Sequence, residues 1–86
     1  MTKKELIYTG GGIYIAQYEE DGFYWTVTNE YSGCLSKFRI PADRDEMYME
    51  EDMVWSVGAD ELPSKKDEEI YRKLYKMLED EGCLLN

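Results

Sequence analysis

The hydrophobic pattern changes its period along this chain, and that change limits the fold more than any other feature. Through residues 1–40 apolar and polar side chains tend to alternate, most clearly over 23–28. A period of two is typical of a strand with one buried face. After residue 64 the period becomes that of an amphipathic helix. The order predicts an α+β fold, in which an antiparallel sheet of four to five strands carries one C-terminal helix on one face.

Turn signals divide the first part of the chain into strands. Glycines fill positions 10–12, Asp21 and Gly22 stand between two alternating runs, and a further turn is predicted at 31–33. An Asp-Gly pair in that position favours a two-residue type I′ hairpin. The predicted strands are 6–8, 13–18, 23–28, 34–40 and 53–57.

The C-terminal part predicts a helix over 65–81. Ser64 and Asp67 have the spacing of a capping box, and Gly82 supplies the left-handed residue that ends many helices. The apolar residues fall on one side of a helical wheel. They are Ile70, Tyr71, Leu74, Tyr75, Met77 and Leu78.

A chain of 86 residues is expected to form a single domain, because it is too short for a second core. We divide it into a β-meander over 1–40, an acidic segment with one strand over 41–62, and the helix over 64–82. No long apolar run or signal peptide is present, so no membrane association is expected. Two cysteines, Cys34 and Cys83, predict free, buried thiols in a cytoplasmic protein.

Negative charge is concentrated in the acidic segment. The chain has a net charge of −9 and no histidine, and residues 41–62 contribute −7 from eight acids and Arg44. Direct binding to nucleic acid is not expected, because such a chain cannot replace the counterions of a phosphate backbone. The conformation of 42–52 stays open between a helical turn and an extended run.

The sequence lacks the patterns of common catalytic and metal sites. Without histidine, serine–histidine and cysteine–histidine catalysis and histidine-ligated zinc are excluded. Asp43 begins a pattern similar to a calcium loop, but Tyr48 replaces the required glycine and Val54 the required glutamate. We therefore expect no enzymatic activity, no metal and no cofactor.

Three interpretations compete for the acidic segment: a solvated loop, a metal site, which the mismatches to the calcium loop disfavour, and a surface that docks on the basic groove of a protein. In the third, carboxylates on a rigid scaffold stand where phosphates would stand, with apolar anchors among them. The candidate partner-binding residues are Asp43, Asp45, Glu46, Tyr48, Glu50, Glu51, Asp52 and Trp55.

The eight tyrosines of the chain suggest a second kind of interface. The helix is expected to cover the sheet face that carries Trp25, which leaves tyrosines on the opposite face. Tyrosine is common in interface cores. The alternative hypothesis is therefore a structural or regulatory module that forms a homodimer or binds a subunit through Tyr14, Tyr18 and Tyr24.

In general character the chain resembles the small acidic inhibitors of phages and mobile elements, which include anti-CRISPR proteins and DNA mimics. The resemblance rests on its size, its net charge of −9, its α+β organisation and the clustered acids at 43–52. It implies a protein that binds and inhibits a nucleic-acid-handling enzyme, such as a CRISPR effector or another nuclease. The inhibitor would occupy a basic groove without chemistry of its own.

Overall fold

The strands of the protein lie side by side in the order in which they occur in the sequence. A computed structural model describes residues 2–85, and all four neighbouring strand pairs in it are antiparallel. A C-terminal helix follows the last strand, which confirms the predicted α+β class. The elements are β1 (Thr2–Gly10), β2 (Ile13–Glu20), β3 (Phe23–Thr28), β4 (Cys34–Arg39), β5 (Met53–Gly58) and α1 (Lys65–Asp80).

The hairpin between β2 and β3 sets the register at the centre of the sheet. Asp21 and Gly22 have φ values of 52° and 84°, as a type I′ turn requires. Glu20 pairs with Phe23 across this turn, which confirms the predicted hairpin. Since the turn contains two residues, even-numbered positions of β2 share a face with odd-numbered positions of β3.

The helix packs on one side of the sheet, mainly on β2 and β3; we call this side the α1 face. Leu74 and Leu78 are fully buried there and Ile70 nearly so, in one cluster with five residues of the sheet. These five are Ala16, Tyr18, Trp25, Val27 and Leu35. The expectation that the helix covers Trp25 is confirmed.

A buried carboxylate ties the beginning of α1 to the sheet. Ser64 Oγ accepts a hydrogen bond from the Asp67 backbone N–H at 3.2 Å and donates one to Asp67 Oδ2 at 2.6 Å. The other carboxylate oxygen, Oδ1, accepts from Trp25 Nε1–H at 3.0 Å. Ser64 therefore caps the helix as predicted, while the Asp67 carboxylate accepts from the Ser64 hydroxyl and not from the backbone N–H that a capping box uses. Asp67 also satisfies the donor of a buried indole.

The end of α1 and the chain after it are fixed by backbone hydrogen bonds. Gly82 has a φ of 67°, its N–H donates to Glu79 O at 3.0 Å, and the Cys83 N–H donates to Leu78 O at 3.1 Å. This is the Schellman arrangement, which satisfies the last carbonyl groups of a helix. The predicted stop at Gly82 is thus confirmed.

Asn29 links three separate parts of the chain and is 1% exposed. Its Nδ2 donates to Gly12 O at 2.8 Å and to Cys83 O at 2.7 Å, while its Oδ1 accepts from the Tyr14 N–H at 2.9 Å. The β1–β2 turn, β2 and the segment after α1 therefore meet at one buried amide.

Residues 41–52 form the acidic loop, which crosses the face of the sheet opposite α1; we call this side the loop face. The loop has two short 3₁₀ turns, Arg44–Glu46 and Glu50–Asp52, and a further turn at 47–48 lies between them. Asp43 caps the first turn by accepting a hydrogen bond from the Asp45 N–H at 3.0 Å. Of the two conformations left open for 42–52, the helical turn is present, as two 3₁₀ turns, and an extended run is not.

The two cysteines are free thiols in the described structure, as expected. Cys83 is half-buried, but Cys34 is exposed, so the prediction that it is buried is wrong. Cys34 begins β4 and alternates with the buried Leu35. Its side chain therefore points to the loop face, at a position that the acidic loop does not cover.

Candidate protein-binding surface

An aromatic cluster holds the acidic loop on the sheet. Tyr24 is 0% exposed, and its ring stacks on Phe38 with centroids 4.8 Å apart and planes at 10°. Tyr48 of the loop lies edge-on to Tyr24, at 5.6 Å and 83°. Aromatic pairs of these two geometries contribute about 0.5–1.5 kcal/mol beyond the area that they bury.

Two hydrogen bonds fix Tyr48 over the strands. Its backbone N–H donates to the Tyr24 hydroxyl at 2.7 Å, and its own hydroxyl donates to Gln17 Oε1. Gln17 is 2% exposed, and its Nε2 donates to Glu19 Oε1 at 3.1 Å. A buried amide of β2 is thus satisfied by a side chain of the loop, which makes the loop part of the hydrogen-bonded structure.

The backbone of Tyr48 adopts a conformation that favours glycine. Its φ is 72°, in the left-handed region that bulky side chains rarely occupy. Such a conformation costs free energy and persists where surrounding contacts determine it. Burial raises the pKa of Tyr48 to about 12.

The acidic loop presents its carboxylates to solvent. Five of its six acids are exposed, and Asp52 is half-buried. Arg44, the one base of the loop, forms an ion pair with Glu19 of β2. Within residues 2–85, none of the six loop carboxylates takes part in an ion pair. The loop therefore offers a dense negative surface, and its own base is engaged with Glu19.

Three large side chains are exposed close to these carboxylates in the chain. Met49 is 51% exposed, Tyr48 43% and Val54 37%. Val54 is the extra residue of a β-bulge, because Phe38 pairs with Met53 while Lys37 pairs with Trp55. Apolar anchors inside a polar rim are the usual composition of a protein interface.

Seven of the eight predicted partner-binding residues lie on the acidic loop, and Trp55 does not. Trp55 pairs with Lys37, which pairs with Trp25, so its ring lies on the α1 face and packs against the core. Its assignment to the acidic surface was wrong. The loop crosses the opposite face of the sheet, although Trp55 follows it by only three positions in the sequence.

The predicted tyrosine face is also wrong, because its three members do not share a surface. Tyr18 pairs with Trp25 and Glu19 pairs with Tyr24 across β2 and β3. Tyr14 and Tyr18 therefore lie on the α1 face, whereas Tyr24 lies beneath Tyr48 on the loop face. Exposures of 8% for Tyr18 and 0% for Tyr24 leave little area for a partner.

Sequence reasoning missed Gln17 and Glu19, which receive the loop. Both alternate with buried residues of β2, Ala16 and Tyr18, so the period of two already placed two polar side chains on the face away from the core. An amide side chain at such a position indicates that another segment lies over it and forms hydrogen bonds with it. It does not say which segment of the chain supplies that cover.

A shallow depression of about 200 Å³ lies on the loop face where the acidic loop leaves the sheet uncovered. Its walls carry hydroxyl and thiol groups, and no carboxylate or amine lines it. The lining residues are Thr26, Thr28, Tyr31, Cys34, Ser36 and Ser56. Among the described residues, no three or more Cys, Asp or Glu side chains are grouped to hold a metal ion.

Comparisons with protein-family models, curated proteins and solved structures find no match to this chain. Over residues 2–85, no helix combines the length and the apolar character that crossing a membrane requires. The function is therefore inferred from the surface of the protein itself.

Proposed function

We propose that the protein is an inhibitor that binds the basic groove of a nucleic-acid-handling enzyme, such as a CRISPR effector or another nuclease. The observation that supports this most is a loop with six carboxylates, none of them ion-paired within residues 2–85, whose centre is fixed by Tyr48. A groove that recognises phosphate charge attracts such a surface by the same electrostatics. Inhibition is stoichiometric, as expected of the phage and mobile-element proteins that the chain resembles.

The carboxylates and the apolar side chains have separate tasks in this proposal. Exposed charges steer the two proteins together and raise the association rate, an effect that salt screens over about 8 Å at physiological ionic strength. Met49 and Val54 supply apolar contact once the surfaces meet, which lengthens the lifetime of the complex. We place the complex in the cytoplasm, where free thiols such as Cys34 persist.

Competition with nucleic acid tests this proposal. The partner is captured from the native host with the tagged protein, and duplex DNA or RNA is then added to the complex. We expect nucleic acid to displace the inhibitor, and we expect association to slow steeply as salt increases. Simultaneous binding of nucleic acid and this protein to the partner would show that the groove is not the site.

Charge reversal of Glu50, Glu51 and Asp52 to lysine locates the binding surface. These side chains are exposed or half-buried, so the fold is retained, and inhibition is expected to be lost. The matched control reverses Glu79, Asp80 and Glu81, which are exposed at the end of α1 and give the same change in net charge. Equal loss of inhibition in both variants would indicate a general charge effect and would remove the acidic loop as the site.

A further inference from the structure

Among the described residues, no strand pairs with the outer edge of β1. The Tyr14 N–H donates to Asn29 and not to β1, so the even-numbered positions of β2 direct their backbone groups away from β1. The backbone N–H and C=O groups of the odd-numbered residues of β2 therefore point towards β1. Their partners in β1 are also odd-numbered. The N–H and C=O groups of Lys4, Leu6 and Tyr8 therefore point outward from the sheet.

The two edges of the sheet differ in how they are protected. In β5 the bulge at Val54 interrupts a six-residue strand. In β1 the register is regular from Thr2 to Tyr8, and its irregularity lies beyond that stretch. Bulges, prolines, very short strands and charged side chains, lysine above all, are the usual means of blocking an edge. The regular part of β1 has only the charged side chains, at Lys3, Lys4 and Glu5. From Leu6 to Tyr8 the edge carries no charge, and Tyr8 is 59% exposed.

We propose that β1 pairs antiparallel with β1 of a second copy of this chain, centred on Leu6. In that register Leu6 faces Leu6 of the second copy, Lys4 faces Tyr8, and Glu5 faces Ile7. No like charges stand directly opposite each other, and the outward groups of Lys4, Leu6 and Tyr8 all find partners. The charge of the strand itself permits this contact. The net charge of the chain is −9, but β1 has two lysines and only one glutamate, so the paired edges lack the excess of acids found elsewhere.

This pairing joins the two five-stranded sheets into one of ten strands. Because the two-fold axis is perpendicular to the sheet, both helices lie on one side and both acidic loops lie on the other. Five strand spacings separate one β3 from the other, which is about 24 Å. The dimer thus presents two acidic surfaces on the same side. It forms whether or not those surfaces bind a basic groove.

Sedimentation equilibrium over a concentration series, with Lys4→Pro and Lys4→Ala as a matched pair, tests the dimer. Proline at position 4 removes an outward N–H, is tolerated on a free edge, and leaves the hydrogen bonds to β2 intact. Wild type and Lys4→Ala are expected to approach twice the monomer mass. Dimerisation of Lys4→Pro should be at least roughly tenfold weaker, because two backbone hydrogen bonds are lost by symmetry.

Amide hydrogen exchange of the wild-type protein keeps the test decisive if Lys4→Pro does not fold. The Leu6 and Tyr8 amides are expected to exchange quickly at low concentration and slowly at high concentration, whereas the Ile7 amide is protected throughout. A protein that stays monomeric at the highest concentration overturns the proposal. A doubled mass without slower exchange at Leu6 and Tyr8 also overturns it, because the contact would then lie elsewhere.

Discussion

The two faces of the sheet are covered by different means. On the α1 face, Leu74 and Leu78 are fully buried against apolar side chains. On the loop face, the cover depends on hydrogen bonds. The Tyr48 N–H donates to the Tyr24 hydroxyl, and the Tyr48 hydroxyl donates to Gln17 Oε1. Apolar burial contributes about 25 cal/mol per Å² and needs no particular direction. A hydrogen bond contributes a net 0.5–1.5 kcal/mol or so, but it defines a position.

The two faces therefore have different roles: one stabilises the domain, and the other presents the acidic loop. The α1 face keeps the domain folded, since it contains most of the apolar core. The loop face holds a charged segment in one conformation over Tyr24 and Phe38, through the ring of Tyr48 and its two hydrogen bonds. A segment with few apolar contacts can open without global unfolding. The acidic loop is therefore expected to have lower local stability than the sheet on which it lies.

Leu74→Ala is expected to have the largest effect, because it acts on the α1 face. Leu74 is 0% exposed, and removing a buried leucine side chain costs roughly 2–5 kcal/mol including the cavity that remains. Urea unfolding monitored by circular dichroism measures this loss. For a domain of this size it is a large fraction of the total stability. A variant as stable as the wild type would show that α1 is not part of the core.

The α1 face could be predicted from the sequence because each of its signals is local. The stripe that contains Leu74, the cap at Ser64, the stop at Gly82 and the turn at Asp21 each depend on a few neighbouring residues, and each is present in the structure. Interactions between neighbouring residues determine these features, which is why they can be predicted without knowledge of the tertiary structure.

The loop face could be predicted only in part, because its contacts join distant residues. Tyr48 meets Gln17 across 31 positions and Tyr24 across 24. The charge of the acidic loop was readable from composition, but the face on which it lies was not. The bulge at Val54 added a further error, since no local signal marks it and the position of Trp55 depends on it.

Tyr48→Phe is expected to have a smaller global effect and a larger local one. It removes the hydrogen bond to Gln17 and leaves a buried amide oxygen without that donor, at a cost of about 1–3 kcal/mol if the loop stays in place and less if it opens. We expect faster limited proteolysis within 41–52, with a modest loss of unfolding free energy. Tyr31→Phe, at a side chain that is 68% exposed, is the control. Equal proteolysis of both variants would show that the Tyr48 hydroxyl does not hold the loop.

The smallest expected effect is a pH dependence that belongs to the loop face. Burial raises the pKa of Tyr48 to about 12 in the folded protein, against 10.0 for an ordinary tyrosine. The folded state therefore keeps a proton that the unfolded state releases. The stabilising contribution is complete below pH 10, and it is lost as the pH rises towards 12.

Subtracting the unfolding free energy of Tyr48→Phe from that of the wild type isolates this contribution. Burial also raises the pKa of Tyr24 and of Tyr71, but both tyrosines are present in the two proteins, so their contributions largely cancel. The difference is expected to decrease between pH 10 and 12 and to stay small, because Tyr48 is 43% exposed and solvent screens it. A difference that stays constant over this range would mean that the Tyr48 hydroxyl is solvated, and that the aromatic contact with Tyr24 alone holds the acidic loop.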